Sequence, residues 1–175
     1  MRHNKHNAAG STEHREGTGL YTPEEKKRRD QSPWTLVQGI LAPIQFIIFL
    51  VSLFLVMRFL LTGLGQEAAV ISVVVKTIAL YIIMITGCIW EKAVFGKYLF
   101  AEAFYWEDMF SMLVLTLHTA YLYALLIDGL SARPLMFLAL AAYAAYIVNA
   151  VQFILKLRAA RLQAAAYEAA MGLAA

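Results

Sequence analysis

The sequence has little charge and a single cysteine. Only 15% of its 175 residues are charged, 61% are hydrophobic and the mean hydropathy is +0.61, which excludes an ordinary soluble domain. Cys88 alone cannot form an intrachain disulfide or a cluster of thiolate metal ligands. Because Cys88 lies inside a long apolar run, we interpret it as a small packing residue.

Histidines and cofactor motifs are also scarce. The sequence contains no Gly-rich nucleotide-binding motif and no haem-attachment motif. Residues 1–19 are polar and lack periodicity, so we predict disorder there and assign no function to His3, His6 and His14. The remaining histidine, His118, cannot alone supply the two axial histidines of a b-type haem, although it can offer one axial bond to a tetrapyrrole metal.

Four long apolar runs are the main feature of the sequence. They cover residues 36–61, 69–90, 106–127 and 134–155, and each is close to the ~20 residues that a helix needs to cross about 30 Å of hydrocarbon. The strands of a membrane barrel would be about half as long and would alternate in polarity. The sequence therefore predicts an all-α integral membrane protein with a four-helix transmembrane bundle over residues 32–158.

The flanking segments are basic or rich in alanine. We predict that residues 1–31 are a disordered and basic interfacial segment, ending in a short helix that Thr22, Pro23 and Glu25 cap. Residues 159–175 are an alanine-rich tail. Seven Lys and Arg precede the first span, two follow the second and three follow the fourth, whereas only Arg58 and Arg133 lie beside the other turns. This asymmetry predicts that both termini face the cytoplasm.

The charged residues between the second and third spans form the most informative cluster. The pairs Trp90-Glu91 and Trp106-Glu107 flank a short aromatic loop, predicted from Lys92 to Tyr105. Acids and bases therefore crowd one rim of the predicted bundle: Glu91, Glu102, Glu107, Asp108, Lys92 and Lys97. At about 100° per residue, one face of the third span carries a polar stripe of Glu107, Ser111, His118 and Tyr121. We take this stripe as the candidate active site.

Acid–base chemistry is the hypothesis that this cluster favours. Clustered, buried carboxyl groups hold a proton near neutrality that one of them can donate, while an ionised neighbour orients water. The candidate catalytic residues are Glu107, Asp108, Glu91 and His118. Two alternatives remain open: the acids form rim salt bridges, Glu91 with Lys97 and Glu102 with Lys92, and His118 is a hydrogen-bonded residue of the bundle.

Substrate contacts are expected from cations, aromatic rings and amides near this rim. Lys76, inside the second span, either serves the site or extends to the opposite membrane surface. Gln38 and Gln45 share a face that we expect to point into the bundle. The candidate substrate-binding residues are Lys76, Lys92, Lys97, Trp90, Trp106, Tyr121, Asn149 and Gln152.

Several collinear segments resemble a known family. They are YTPEE at Tyr21, PWTLVQGILAPIQF at Pro33, VVVKT at Val73, WEK-x-VFG-x-YLF at Trp90, FYWED at Phe104, HTAY at His118 and N-A-x-QF-x-LKLR at Asn149. Together they resemble the 3-vinyl bacteriochlorophyllide hydratase family of phototrophic bacteria over residues 20–161. The resemblance identifies no catalytic residue, so the roles above rest on the stripe.

The resemblance implies addition of water across the C3 vinyl group of a magnesium (bacterio)chlorophyllide, giving a 1-hydroxyethyl group in bacteriochlorophyll biosynthesis. It implies a multi-pass protein of the bacterial inner (intracytoplasmic) membrane, in contact with lipid and not with nucleic acid. No cofactor is implied, since the magnesium belongs to the substrate, and His118 is a candidate axial contact to it. Homo-oligomers and contacts with other pigment-biosynthesis enzymes are left open.

Two alternative functions come from other classes. A pigment-binding assembly protein would use His118 and the aromatic residues equally well. A small proton-coupled transporter would carry a carboxylate in the middle of a span, and the first span has none. Turnover of the vinyl pigment distinguishes the enzyme from both. For the enzyme, we expect Lys92 or Lys97, or the deeper Lys76, to hold the propionate of the chlorin.

Overall fold

The computed structural model describes residues 20–173 of the chain. This part contains five α-helices and no strand: α1 Pro23–Gln31, α2 Pro33–Thr62, α3 Gln66–Phe95, α4 Tyr105–Leu126 and α5 Ala132–Leu173. Four helical segments are long and apolar enough to cross a membrane, namely α2, α3, α4 and Ala132–Gln163 of α5. The predicted all-α fold with four candidate spans is confirmed. The disorder predicted for residues 1–19, with their three histidines, lies outside the described residues.

Local sequence signals explain where the helices begin and end. The capping box of α1 is complete, because Glu25 N–H donates to Thr22 Oγ1 at 3.3 Å and Thr22 N–H donates to Glu25 Oε2 at 2.8 Å. Gly63 ends α2 with a left-handed φ of 73°. The aromatic loop begins at Gly96, whose φ is 80°, and not at Lys92 as predicted. Residues 92–95 stay helical because no helix-breaking residue precedes Gly96.

The bundle is closed at one end and open at the other. α2 packs against α3, and α4 packs against α5. The hydrophobic core gathers the second halves of α2 and α4 with the first halves of α3 and α5, and includes Phe49, Val73, Tyr121, Met136 and Tyr143. The opposite halves carry α1 and the 96–104 loop, and we call this side the α1 end. Core packing is therefore concentrated away from the predicted rim of carboxyl groups, although it includes Tyr121 of the predicted stripe.

Polar residues are buried within the closed end. Ser52 Oγ lies 2.5 Å from Tyr143 Oη and 2.7 Å from Ser72 Oγ. Lys76 is 0% exposed, and its Nζ lies 3.7 Å from the ring centroid of Tyr146. Lys76 therefore stays inside the bundle and does not extend to the opposite surface. Its ammonium is stabilised by the face of an aromatic ring.

Candidate active site

A large cleft lies at the α1 end, between α2, α3 and α5. Its volume is about 1870 Å³, above the ~300–1,000 Å³ of ordinary small-molecule pockets. Residues 20–30 cover one side, and the walls are mainly apolar or aromatic, with Leu80, Met84, Trp90, Phe104 and Phe153 among them. A cleft of this size and lining suits a large, flat and apolar ligand.

Two carboxyl groups from different helices meet in the wall of the cleft. Glu91 of α3 and Asp108 of α4 both line it, and their carboxyl groups lie close enough to interact with each other. Glu91 Oε1 also accepts from Ala101 N–H at 2.7 Å, and Asp108 Oδ2 accepts from Phe100 N–H at 2.8 Å. Two neighbouring carboxylates repel each other, so a pair that shares one proton is favoured over a pair with two negative charges. The pair is therefore suited to hold a proton beside the cleft.

The 96–104 loop positions this pair. Phe100 has a φ of 59°, a left-handed conformation that costs free energy for a residue other than glycine. In this conformation the consecutive N–H groups of Phe100 and Ala101 reach two different carboxyl groups. Phe104 anchors the end of the loop, because the centroid of its ring lies 5.7 Å from that of Trp90 and 5.8 Å from that of Phe153. The strained backbone of Phe100 thus lies at the point of the loop where the N–H groups of Phe100 and Ala101 orient Asp108 and Glu91.

Glu107 faces a different partner. Its Oε2 lies 2.5 Å from Lys156 Nζ of α5, and Glu107 does not line the cleft. The rim does contain a salt bridge, although it joins Glu107 to Lys156. In the described part of the chain, the ion pair considered for Glu91 and Lys97 is not formed, since Glu91 Oε1 accepts from Ala101 N–H and the carboxyl group lies beside Asp108.

A polar edge continues from Asp108 into the cleft. Ser111 lies three residues later on α4, and its Oγ accepts from Asn149 Nδ2 of α5 at 2.9 Å. Both residues line the cleft. Asn149 Oδ1 is buried and has no hydrogen-bond partner among the described residues. A buried acceptor without a partner costs free energy, so this edge is suited to hold water or a polar substrate group.

The inner part of the predicted stripe lies behind the cleft. His118 Nδ1 is 2.8 Å from Val114 O and therefore donates to it, which leaves Nε2 as the acceptor. This Nε2 and the Tyr121 hydroxyl are buried without a partner in the described part of the chain. His118, Tyr121 and Lys76 do not line the cleft, whereas Tyr146, which covers Lys76, does. The structure does not bring His118 to a position for axial contact with a ligand there.

Comparison with known proteins identifies the family. The family profile described as 2-vinyl bacteriochlorophyllide hydratase matches residues 21–159. The chain belongs to this family. Its name is equivalent to the 3-vinyl name used above, so the resemblance is confirmed.

Two curated relatives carry the name 2-vinyl bacteriochlorophyllide hydratase. The protein of Rhodobacter capsulatus is 64% identical over 150 residues, which cover 86% of this chain and 87% of the relative. The protein of Cereibacter sphaeroides is 59% identical over 143 residues, which cover 82% of this chain and 89% of the relative. No solved structure matches the chain.

In this member of the hydratase family, the remaining predicted contacts are divided between the cleft and the outer surface. Trp90 lines the cleft and its Nε1 donates to Thr35 Oγ1 at 2.9 Å, which joins α3 to the start of α2. Trp106 is 67% exposed and points outward. Lys92 and Lys97 are exposed and do not line the cleft, and Lys92 Nζ donates to Gly96 O at 2.7 Å.

Sequence reasoning missed part of the hydratase cleft. Gln152 lies one turn beyond Asn149 and outside the cleft lining, and its buried Oε1 has no hydrogen-bond partner among residues 20–173. The lining instead includes Lys26 and Arg29 of α1 and Arg161 of α5. Residues 26–29 are the basic run of the predicted interfacial segment, and by itself this pattern indicates only attraction to lipid headgroups. The folding of α1 over the cleft carries no local sequence signal.

Proposed function

We propose that this chain is a membrane-bound hydratase that adds water across the C3 vinyl group of a magnesium (bacterio)chlorophyllide. Relatives at 59–64% identity carry the hydratase name, and the family profile spans most of the chain. The single observation that carries the chemistry is the neighbouring pair of carboxyl groups, Glu91 and Asp108, in the cleft wall. It offers a proton to a group that has no basic atom of its own.

The reaction begins with proton transfer from this pair. The π electrons of the vinyl group form a new C–H bond at its terminal carbon, and the inner carbon becomes a cation stabilised by the conjugated ring. The oxygen of a water molecule then bonds to the inner carbon, and the proton that this oxygen loses returns to the carboxylate. The pair thereby acts first as general acid and then as general base. The addition is redox-neutral, and the substrate retains its magnesium.

The attacking water is held by Ser111 and Asn149. The unpartnered Asn149 Oδ1 accepts a hydrogen bond from water and directs a lone pair of the water oxygen toward the cleft. Ser111 lies one helical turn from Asp108, so the water and the acid reach the same substituent of the ring. The apolar walls favour the macrocycle and limit competing water.

The membrane arrangement follows from charge. The α1 end, with most of the Lys and Arg, faces the cytoplasm of a bacterial inner membrane, and both termini lie on that side. The substrate enters the cleft from the lipid or its interface. Homo-oligomers and contacts with other pigment enzymes are consistent with the exposed apolar surfaces of the helices, such as Phe54 and Ile85.

An isotope experiment tests the function. Purified full-length protein is incubated with vinyl pigment in ¹⁸O-water, and mass spectrometry and absorption are followed. Catalysis predicts many turnovers, a mass gain of one labelled water, and a blue shift as the vinyl group leaves conjugation. Stoichiometric pigment binding without a mass gain would instead support a pigment-binding assembly protein. Asp108→Asn is the matched inactive variant, and Lys97→Met, outside the cleft, is the control.

A further inference from the structure

Three cations line the cleft: Lys26 and Arg29 from α1, and Arg161 from α5. We call the part of the cleft that these residues line its mouth. We propose that these three cations bind the propionate carboxylate of the substrate and make the enzyme selective for the free acid over its ester. Arg29 is the member whose side chain Tyr21 and Asp30 hold in place. The inference rests on the proposed function and adds the residues that recognise a second substituent of the pigment.

Contacts with α2 and α3 fix α1 over the cleft. Thr35 Oγ1 donates to Arg29 O at 2.6 Å and accepts from Trp90 Nε1 at 2.9 Å. Tyr21 stacks on Phe95, with ring centroids 5.8 Å apart and an interplanar angle of 14°. The mouth is therefore a built part of the site, because its position depends on packing to α2 and α3.

The Arg29 side chain is held in a conformation that leaves donors available. Its guanidinium carbon lies 4.7 Å from the centroid of the Tyr21 ring. Its Nε and Nη2 both contact Asp30 Oδ1, at 2.8 and 2.7 Å. A guanidinium has about five N–H donors, so roughly three remain for a carboxylate, which can bind in a bidentate manner. Asp30 also lines the mouth, but the three cations outnumber it.

The distribution of charge sets the orientation of the substrate. Apart from the three cations and Asp30, the Asp, Glu, Lys, Arg or His residues that line the cleft in the described part of the chain are Glu91 and Asp108. These acids would repel a carboxylate, whereas they are needed beside the vinyl group. The propionate is therefore directed to the mouth and the vinyl group to the carboxyl pair. The vinyl and propionate groups belong to different pyrrole rings of one macrocycle, which allows both contacts at once.

The lysines expected to bind the propionate are less suitable in this geometry. Lys92 and Lys97 are exposed and do not line the cleft, and Lys92 donates to the carbonyl of Gly96. Lys76 is fully buried and is covered by the ring of Tyr146. The cations of α1 and α5 are therefore the ones that a carboxylate in the cleft can reach.

The test compares the vinyl pigment as free acid and as methyl ester. For the wild type we expect a KM at least about 10-fold lower for the acid, the effect of a charge-assisted hydrogen bond. Arg29→Met and Arg161→Met should bring the ratio of the two KM values toward one. Arg28→Met and Arg158→Met are the matched controls, because these arginines are exposed neighbours that do not line the cleft, and they should keep the wild-type ratio.

Two results would overturn the carboxylate site: equal KM values of the wild type for acid and ester, or a wild-type ratio in both the Arg29 and Arg161 variants. Failure of the carboxylate site can be distinguished from failure of the proposed function. If neither pigment is hydrated, the hydratase proposal fails, and equilibrium titration of acid and ester, followed by pigment absorption, still measures the preference. Equal dissociation constants in that titration would also exclude the carboxylate site.

Discussion

Glu107 and Asp108 are adjacent in sequence but have different surroundings. Glu107 pairs with Lys156, whereas Asp108 accepts from Phe100 N–H and lies beside the carboxyl group of Glu91 in the cleft wall. We therefore expect Asp108→Asn and Glu91→Gln each to lower kcat by about 10² to 10⁴, with little change in KM, because the acid acts only in the transition state. Steady-state hydration of the vinyl pigment measures both constants.

Glu107→Gln is the control for this prediction. It breaks an ion pair of which one partner is nearly buried, so its expected effect is a lower melting temperature with kcat changed less than 10-fold. If Glu107→Gln abolishes hydration while the Asp108 and Glu91 variants remain active, the proton comes from Glu107 and the carboxyl pair is structural.

One polar atom of the Asn149 side chain has a hydrogen-bond partner, and the other has none among the described residues. Its Nδ2 donates to Ser111 Oγ, while Oδ1 is buried without a partner in the described part of the chain. Asn149→Leu should lower kcat by about 10-fold or more, since one hydrogen bond to the attacking water is lost. Pigment binding, measured by absorption titration, should stay close to wild type. Gln152→Leu is the neighbouring control, and an equal loss of kcat there would contradict a water site at Asn149.

The 96–104 loop is the element on which the carboxyl pair depends. Gly96 begins it with a φ of 80° and has no atom within 4 Å of an added Cβ, so Gly96→Ala meets only a conformational cost. A left-handed residue costs about 1–2 kcal/mol, which should lower the melting temperature. We also expect kcat to fall, because a shifted loop moves the N–H groups of Phe100 and Ala101 away from the acids. Thermal unfolding and hydration kinetics measure the two effects.

Gly63→Ala provides the matched control at the other end of the bundle. Gly63 has a φ of 73° and similarly open surroundings, so its substitution should cost similar stability. It lies in the turn between α2 and α3, away from the cleft lining, and kcat should not change. Loss of kcat in both variants to the same degree would mean that general destabilisation, and not the loop, controls activity.

The helical bundle has a cleft at the α1 end, and most of the Lys and Arg residues of the chain belong to the same end. If the α1 end faces the cytoplasm, a membrane-impermeant thiol reagent applied outside the cell should label Leu64→Cys and Ser131→Cys but not Lys97→Cys. Replacing Cys88 by Ser first removes the single native thiol. Labelling of Lys97→Cys before permeabilisation would invert the topology and move the cleft to the other face of the membrane. Labelling of all three after permeabilisation is the positive control.

Local sequence determined the fold class, the four candidate spans, the cap of α1 and the buried face of α4. The length of an apolar run, the capping pattern and the helical period are properties of neighbouring residues, so they are visible without a structure. The same reasoning located the acids at one end of the bundle. It misjudged the start of the loop by four residues, because the apolar run ends before the helix does.

Only the tertiary structure decided which polar residues share a site. Glu107 is oriented by Lys156, 49 residues away, and Asp108 is oriented by Glu91 and the backbone of the loop. His118 belongs to the stripe by periodicity, yet it packs against Tyr143 of α5 and does not line the cleft. Arg29 reaches the cleft because α1 folds back on α3. These outcomes depend on contacts between helices distant in sequence, and no periodic pattern within one helix encodes them.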